Sequence, residues 1–314
     1  MSLLDNLLFS LSTTLPILLW LAGGNALKRT NRLSDAFIQD ANRLVFTWCL
    51  PTLLFLNTAR SSVVDSWQGG LIGFAAIFTL LTVVLLWWIT PMFTPDRSRR
   101  GVFVQGAYRG NMGIIGLAMV VNAFGTSVIP LASLYLAFIT LIYNLTAIVV
   151  LQAGQAKMSP LMLVNQLARN PMIIGVMLGL AWSLTGWALP ALADSTLQGL
   201  ADLTLPMALI CVGASLRFKS LRNNRFLVLL ASAFKLIIIP VSAVLVALLF
   251  GFRGEALGIL FLMMASPTAA ASYVMARAMT PWGELAAEII AVTTFFSLLT
   301  TTLGLFLLRS VGLV

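Results

Sequence analysis

The chain is a succession of long apolar runs separated by short polar turns. Ten runs can be cut: Leu7–Leu27, Ala36–Ala59, Gly69–Phe93, Gly101–Phe124, Ser127–Gln152, Pro171–Ala188, Leu197–Leu216, Phe226–Phe250, Ala256–Met279 and Glu284–Leu308. A bilayer core of about 30 Å takes about 20 apolar residues per helix. The pattern therefore predicts an all-α membrane protein of ten transmembrane helices. The longest turn joins the fifth and sixth runs and holds Lys157, Pro160 and Arg169. It is the expected boundary between two halves, 1–156 and 157–314.

The halves are related by a constant shift. Pro16 and Pro51 in the first two runs fall 155 residues before Pro171 and Pro206 in the sixth and seventh. The same shift carries Gly101 to Ala256, Phe124 to Met279, Asn111 to Ser266 and Met112 to Pro267. Each half has five runs, an odd number, so the second copy enters the membrane upside down. Such an inverted repeat is the architecture of many secondary transporters.

The polar interruptions sit at matching places. In the fourth run, Gln105, Tyr108, Arg109 and Asn111 stand among Gly106, Gly110, Gly113 and Gly116. An arginine at the centre of a spanning helix costs roughly 2.5–3.5 kcal/mol on insertion scales. In the ninth run the partner stretch is Ser266-Pro267-Thr268, followed by Ala271 and Ser272. Pro267 lacks an N–H and clashes with the preceding turn. In the fourth run the glycines Gly110 and Gly113, flanking Met112, supply the backbone freedom. Both helices are predicted to break and to meet near the midplane, with half-helix N-termini facing the centre. Unpaired amides and the helix dipole there favour an anion, above all a carboxylate. Arg109 adds a full charge; Asn111, Ser266, Thr268 and Ser272 add short hydrogen-bonding groups. The competing reading is close helix packing, which small residues also serve. It stands for Gly113 and Gly116 taken alone.

Composition and charge narrow the class. Only 9% of the 314 residues are charged and 60% are hydrophobic; mean hydropathy is +0.99. Soluble domains carry about 25% charged residues. The net charge of +9 does not indicate nucleic acid, because the bases fall in short turns. The first, third, fifth and seventh turns hold twelve of them: Lys28, Arg29, Arg32, Arg97, Arg99, Arg100, Lys157, Arg169, Arg217, Lys219, Arg222 and Arg225. The second, fourth, sixth and eighth hold Arg60 and Arg253 alone. The positive-inside rule then puts both termini outside. Asp5 precedes the first run and bases follow it, which is the charge order of a spanning helix rather than a signal peptide. Histidine is absent, and Cys49 and Cys211 lie in apolar runs. No metal site, disulfide framework or cofactor is expected, and no nucleophile motif or acidic dyad suggests an enzyme. No charged ring or filter marks a channel.

The motifs Tyr108-Arg109-Gly110-Asn111-Met112-Gly113-Ile114-Ile115-Gly116-Leu117, Thr204-Leu205-Pro206-Met207-Ala208-Leu209 with Gly213-Ala214-Ser215-Leu216, and Ser266-Pro267-Thr268 with Ala271-Ser272-Tyr273 resemble those of the auxin efflux carrier family. Its bacterial members are relatives of the plant PIN carriers. The resemblance covers essentially the whole chain. It implies two inverted five-helix repeats with helices four and nine crossing, a fold like that of the bile-acid sodium symporters. It also implies elevator-type transport of organic anions across a bacterial inner membrane.

Other polar residues sit in apolar runs. Glu288 is either a proton-coupling group or an interfacial residue at a helix start. Lys235, deeper in its run, would pair with a carboxylate, snorkel, or help draw in an anion. With Gln105, these two are the candidates for ion coupling, H+ or Na+. Asn144 and Tyr143 read as pocket lining or as core. Asp40 and Arg43 read as a local pair. The expected partners are a small organic anion, the lipid bilayer and a second copy of the chain in a homodimer, with no nucleic acid. A sodium- or proton-coupled importer of organic acids on the same fold is the alternative to an uncoupled carrier.

Overall fold

The computed structural model describes residues 3–60, 69–153, 169, 171–215 and 224–314. Lys157, Arg217, Lys219, Arg222 and the expected boundary near residue 156 lie outside the described residues. Every described element is helical, in chain order α1 (Leu3–Arg29), α2 (Asp35–Leu44), α3 (Leu50–Arg60), α4 (Gly69–Ile89), α5 (Arg97–Tyr108), α6 (Leu117–Phe124), α7 (Ile129–Gln152), α8 (Pro171–Thr185), α9 (Ala191–Asp202), α10 (Thr204–Ser215), α11 (Arg225–Ala233), α12 (Ile239–Leu249), α13 (Gly254–Ala265), α14 (Ala271–Met279) and α15 (Gly283–Ser310). Among the described residues, six helical stretches are long and apolar enough to cross a membrane: Leu4–Arg29, Gly69–Met92, Thr126–Gln152, Ala191–Ala214, Arg225–Leu249 and Gly283–Ser310. Met112–Phe124, Ile173–Thr185 and Gly254–Ala265 are shorter apolar helices. α4 exposes Ile77, Leu80, Leu81, Val84, Leu85 and Trp88, an oily face that suits lipid and not water.

Prolines set where helices deform. A proline ring clashes with the carbonyl four residues back. Pro51 is preceded by a widened π turn over Val45–Cys49, and Pro240 by another over Phe234–Ile238. Ahead of Pro206 the helix ends at Asp202 and restarts at Thr204. α2 begins where Ser34 Oγ accepts from the Phe37 amide at 3.0 Å, an ordinary N-cap.

Two helix pairs are held by glycine. α1 packs against α10, and α3 against α8. A Cβ on Gly24 would strike the carbonyl of Ile210, and one on Gly179 the carbonyl of Phe55. These two contacts are the same contact moved by 155 residues, with the halves exchanged. Gly24→Ala should destabilise the chain by about 1–3 kcal/mol, because backbone cannot step aside as a side chain can. Gly23→Ala is the control, since its Cβ meets nothing within 4 Å. Thermal unfolding of the two purified variants checks this.

The ends of the molecule are tied by polar contacts. At one end Arg309 donates to Asn6 Oδ1 at 3.2 Å and lies over the Phe9 ring. Near the C-terminus the Gly254 amide donates to the Leu313 carbonyl at 2.8 Å. Elsewhere Arg99 bonds Asn224 and stacks 4.5 Å from the Trp282 ring centroid, and Trp282 Nε1 donates to Asp96 at 3.1 Å. The turns before α5, α11 and α15 therefore come together. Ion pairs among the described residues include Lys28–Asp35 and Arg60–Asp194; the expected Asp40–Arg43 pair does not form.

Candidate functional site

The backbone leaves helical geometry at two places. α5 ends at Tyr108, Arg109 is extended (φ −78°, ψ 103°), and a π turn begins at Met112 and runs into α6. α13 ends at Ala265, Ser266 is extended (φ −56°, ψ 139°), and α14 begins at Ala271. Pro267 forces the residue before it out of the helical region. At the other break, no proline is present and Gly110 allows the close approach instead. The two extended segments cross antiparallel with Gly110 opposite Thr268. The Asn111 amide donates to the Pro267 carbonyl at 2.6 Å, and the Ala269 amide to the Arg109 carbonyl at 3.0 Å. Backbone groups freed by the breaks thus satisfy each other, as buried backbone groups must.

Side chains complete the crossing. Thr293 Oγ1 on α15 accepts from the Thr268 amide at 3.1 Å, and Thr268 Oγ1 donates to the Gly106 carbonyl at 2.7 Å. Ser266 Oγ donates to the Met263 carbonyl at 2.7 Å. Lys235, on the π turn before α12, is fully buried and donates to the Met264 carbonyl at 2.8 Å. A Cβ on Gly110 would collide with Ser266 Oγ and stand 3.1 Å from Lys235 Nζ.

A cleft opens beside the crossing, with a cavity of about 50 Å³. Arg109, Gly110, Asn111, Met112 and Gly113 line it from one segment and Ala269, Ala270 and Ala271 from the other. Leu136, Thr140 and Tyr143 of α7 add a wall, and Phe46 of the π turn Val45–Cys49 and Leu50 of α3 another. The starts of both downstream half-helices therefore face one space. The first amides of a helix have no partner within it and carry the positive end of its dipole.

Arg109 is 6% exposed. Its Nη2 donates to Asn144 Oδ1 at 2.7 Å and its Nη1 contacts the Met275 sulfur at 2.8 Å. Neither partner is charged, so a buried guanidinium borders the cleft without a carboxylate among the described residues. The Tyr143 ring packs edge-on against Tyr108 at 5.5 Å between centroids.

The remaining expected residues lie around this core rather than in the lining. Tyr108 turns its hydroxyl to Thr146 at 2.8 Å. Gln105 contacts Met275, at 3.7 Å from its sulfur, and Ser272 is buried behind the lining. Glu288 is buried on α15. Asn144 reaches the site only as the acceptor of the Arg109 Nη2 hydrogen bond. The sequence singles out none of Phe46, Leu50, Leu136 and Thr140; a residue that lines a cleft is spelled like one that packs a core.

A family model described as membrane transport protein matches residues 9–305. A relative from Methanothermobacter thermautotrophicus named "Uncharacterized transporter" is 24% identical over 94% of this chain and 97% of its own length. One from Rhizobium meliloti named "Putative malonate transporter" is 25% identical over 86% of each chain. A third, from Methanocaldococcus jannaschii and also named as an uncharacterized transporter, is 23% identical over 86% of this chain and 90% of its own.

Proposed function

Because the chain belongs to the membrane transport protein family, the family of the auxin efflux carriers, we propose that it is a secondary carrier of small carboxylates that binds its substrate at the crossing of two interrupted helices. One observation carries this. Two half-helix N-termini and the buried Arg109 guanidinium border one cleft. Arg109 would take the carboxylate through its fork, Asn111 and the amides at Met112, Gly113, Ala270 and Ala271 would orient it, and Asn144 would hold the guanidinium in place. The cleft is small, which favours a short acid. The name of the Rhizobium relative points the same way.

The fold proposed with it is ten spans in two inverted five-helix repeats, residues 1–156 and 157–314. Joining the described helices that run on through a turn or a break gives five stretches before residues 154–168 and five after, which supports that count. The matched contacts Gly24–Ile210 and Gly179–Phe55 support a repeat whose halves exchange partners. α1 pairs with α10, and α3 with α8 and α9, while α1 also packs on α15 and α6; we take the spans of α1, α3, α8 and α10 as one set and those around the crossing as the other. Alternating access would move the second set against the first, carrying the crossing and its anion. The basic turns at the end where Arg99 meets Trp282 would be cytoplasmic and both termini outside, in a bacterial inner membrane.

A thermal-shift screen of the purified protein against short mono- and dicarboxylates tests the assignment. Saturable stabilisation by a carboxylate and none by its amide is the expected result. No response to any acid, or equal response to the amides, would contradict it. Pro267→Ala bears on the motion. An alanine at 267 relaxes the bar on helix at Ser266, so the break should tighten and net flux fall about threefold to tenfold. Equilibrium affinity should stay within about threefold, because no lining group is removed. Substrate counterflow in proteoliposomes reads both.

A further inference from the structure

The crossing is not symmetric, and the asymmetry falls on a charge. One of its backbone bonds runs from the Ala269 amide to the Arg109 carbonyl. Moved by the 155-residue shift with the halves exchanged, the equivalent bond would run from the Ile114 amide to the Met264 carbonyl. That carbonyl is instead taken by Lys235 Nζ at 2.8 Å. Met264 is in the last turn of α13, whose end carbonyls carry the negative pole of the helix. The ammonium lies on the far side of Gly110, since a Cβ there would stand 3.1 Å from Nζ, and Lys235 does not line the cleft. Its position follows from the π turn Phe234–Ile238, which Pro240 imposes. The residue matching Lys235 in the first half is Leu80, which is 45% exposed, so nothing in the repeat requires a lysine.

A buried ammonium on the carbonyl end of a broken helix at membrane depth does what a bound alkali cation does at such an end. We propose that Lys235 is a tethered cation that completes the crossing, so that this chain holds its transport site together without dissolved sodium. It rests on the crossing being the transport site, but it concerns the cation and not the anion. Each can fail alone.

The test compares melting of the full-length protein in sodium chloride, choline chloride and methylammonium chloride at equal ionic strength, with no carboxylate added. The wild type should melt within about 1 °C in all three. Lys235→Ala should melt at least about 3 °C lower than wild type in choline, as for a buried carbonyl left without a donor. Methylammonium, small enough to enter the vacated space, should restore most of that loss. If Lys235→Ala yields no folded protein in choline, the yield of monodisperse protein purified in methylammonium is the readout, and recovery is expected. A saturable rise of the wild-type melting temperature with sodium would overturn the proposal. So would a Lys235→Ala protein as stable as wild type, or one that no small cation restores. Carboxylate binding is measured separately on the wild type in choline. Its absence there, with the cation results as expected, would count against the anion site and leave the tethered cation standing.

Discussion

Arg109→Ala should lower carboxylate affinity by more than about a hundredfold while leaving a folded, membrane-inserted protein. The guanidinium is buried, borders the cleft and faces neutral partners, Asn144 at 2.7 Å and Met275 at 2.8 Å. Truncating one member of a buried, hydrogen-bonded charge pair costs about 2–5 kcal/mol, and each 1.4 kcal/mol is tenfold. The fold should survive because the crossing is closed by backbone bonds that do not use this side chain. Arg109→Lys separates charge from geometry. It keeps the charge but loses the planar fork, so affinity should fall about tenfold. Titration calorimetry on the three proteins measures it. Unchanged affinity in Arg109→Ala would remove Arg109 from the site.

Gly110→Val should be the most damaging single change in stability. A Cβ at Gly110 would occupy the place of Ser266 Oγ and press on Lys235 Nζ. Ser266 and Lys235 are each held by a carbonyl of α13, Met263 and Met264. Neither can move without leaving a buried carbonyl bare, at about 1–3 kcal/mol each. Overpacking adds about 1–3 kcal/mol, and the two backbone bonds of the crossing would be strained apart. The variant should melt about 5 °C or more below wild type, or fail to accumulate, and should not transport. Gly110→Ala should fall in the same direction by less. Gly125, just past the end of α6, is a place where a Cβ meets nothing within 4 Å. Its φ of 80° still makes it strained, so Gly23→Ala is the cleaner comparison.

Much of this is legible in the sequence, for a reason particular to membranes. Lipid leaves the backbone no partner but itself, so every residue that breaks a spanning helix must be answered elsewhere in the protein. Arg109, Gly110 and Pro267 stood out against apolar surroundings, and they are where the helices end. The 155-residue shift reads from prolines and run edges, and the contacts Gly24–Ile210 and Gly179–Phe55 are spaced by the same number, which supports the repeat we propose.

What was not legible has an equally physical cause. The π turns at Val45–Cys49 and Phe234–Ile238 change hydrogen bonding without changing composition. The break at Leu203 lies just ahead of Pro206, and the run alone does not say whether that proline bends its helix or ends it. Phe46, Leu50 and Leu136 come to the cleft from distant spans, and nothing in their type distinguishes a wall from a core. The sequence reads Ser266 and Thr268 as substrate contacts from their hydroxyls; it does not show that these hydroxyls also bond the Met263 and Gly106 carbonyls, near the ends of α13 and α5. Lys235 offered three readings in sequence, and its place on the Met264 carbonyl depends on a fold the run alone does not describe.

Diffraction from crystals soaked in a short brominated carboxylate such as 3-bromopropionate tests the central claim most directly. The anomalous signal should lie in the cleft between Asn111–Gly113 and Ala269–Ala271, with the carboxylate on Arg109. A bromine bound elsewhere, with this cleft empty at saturating acid, would contradict it.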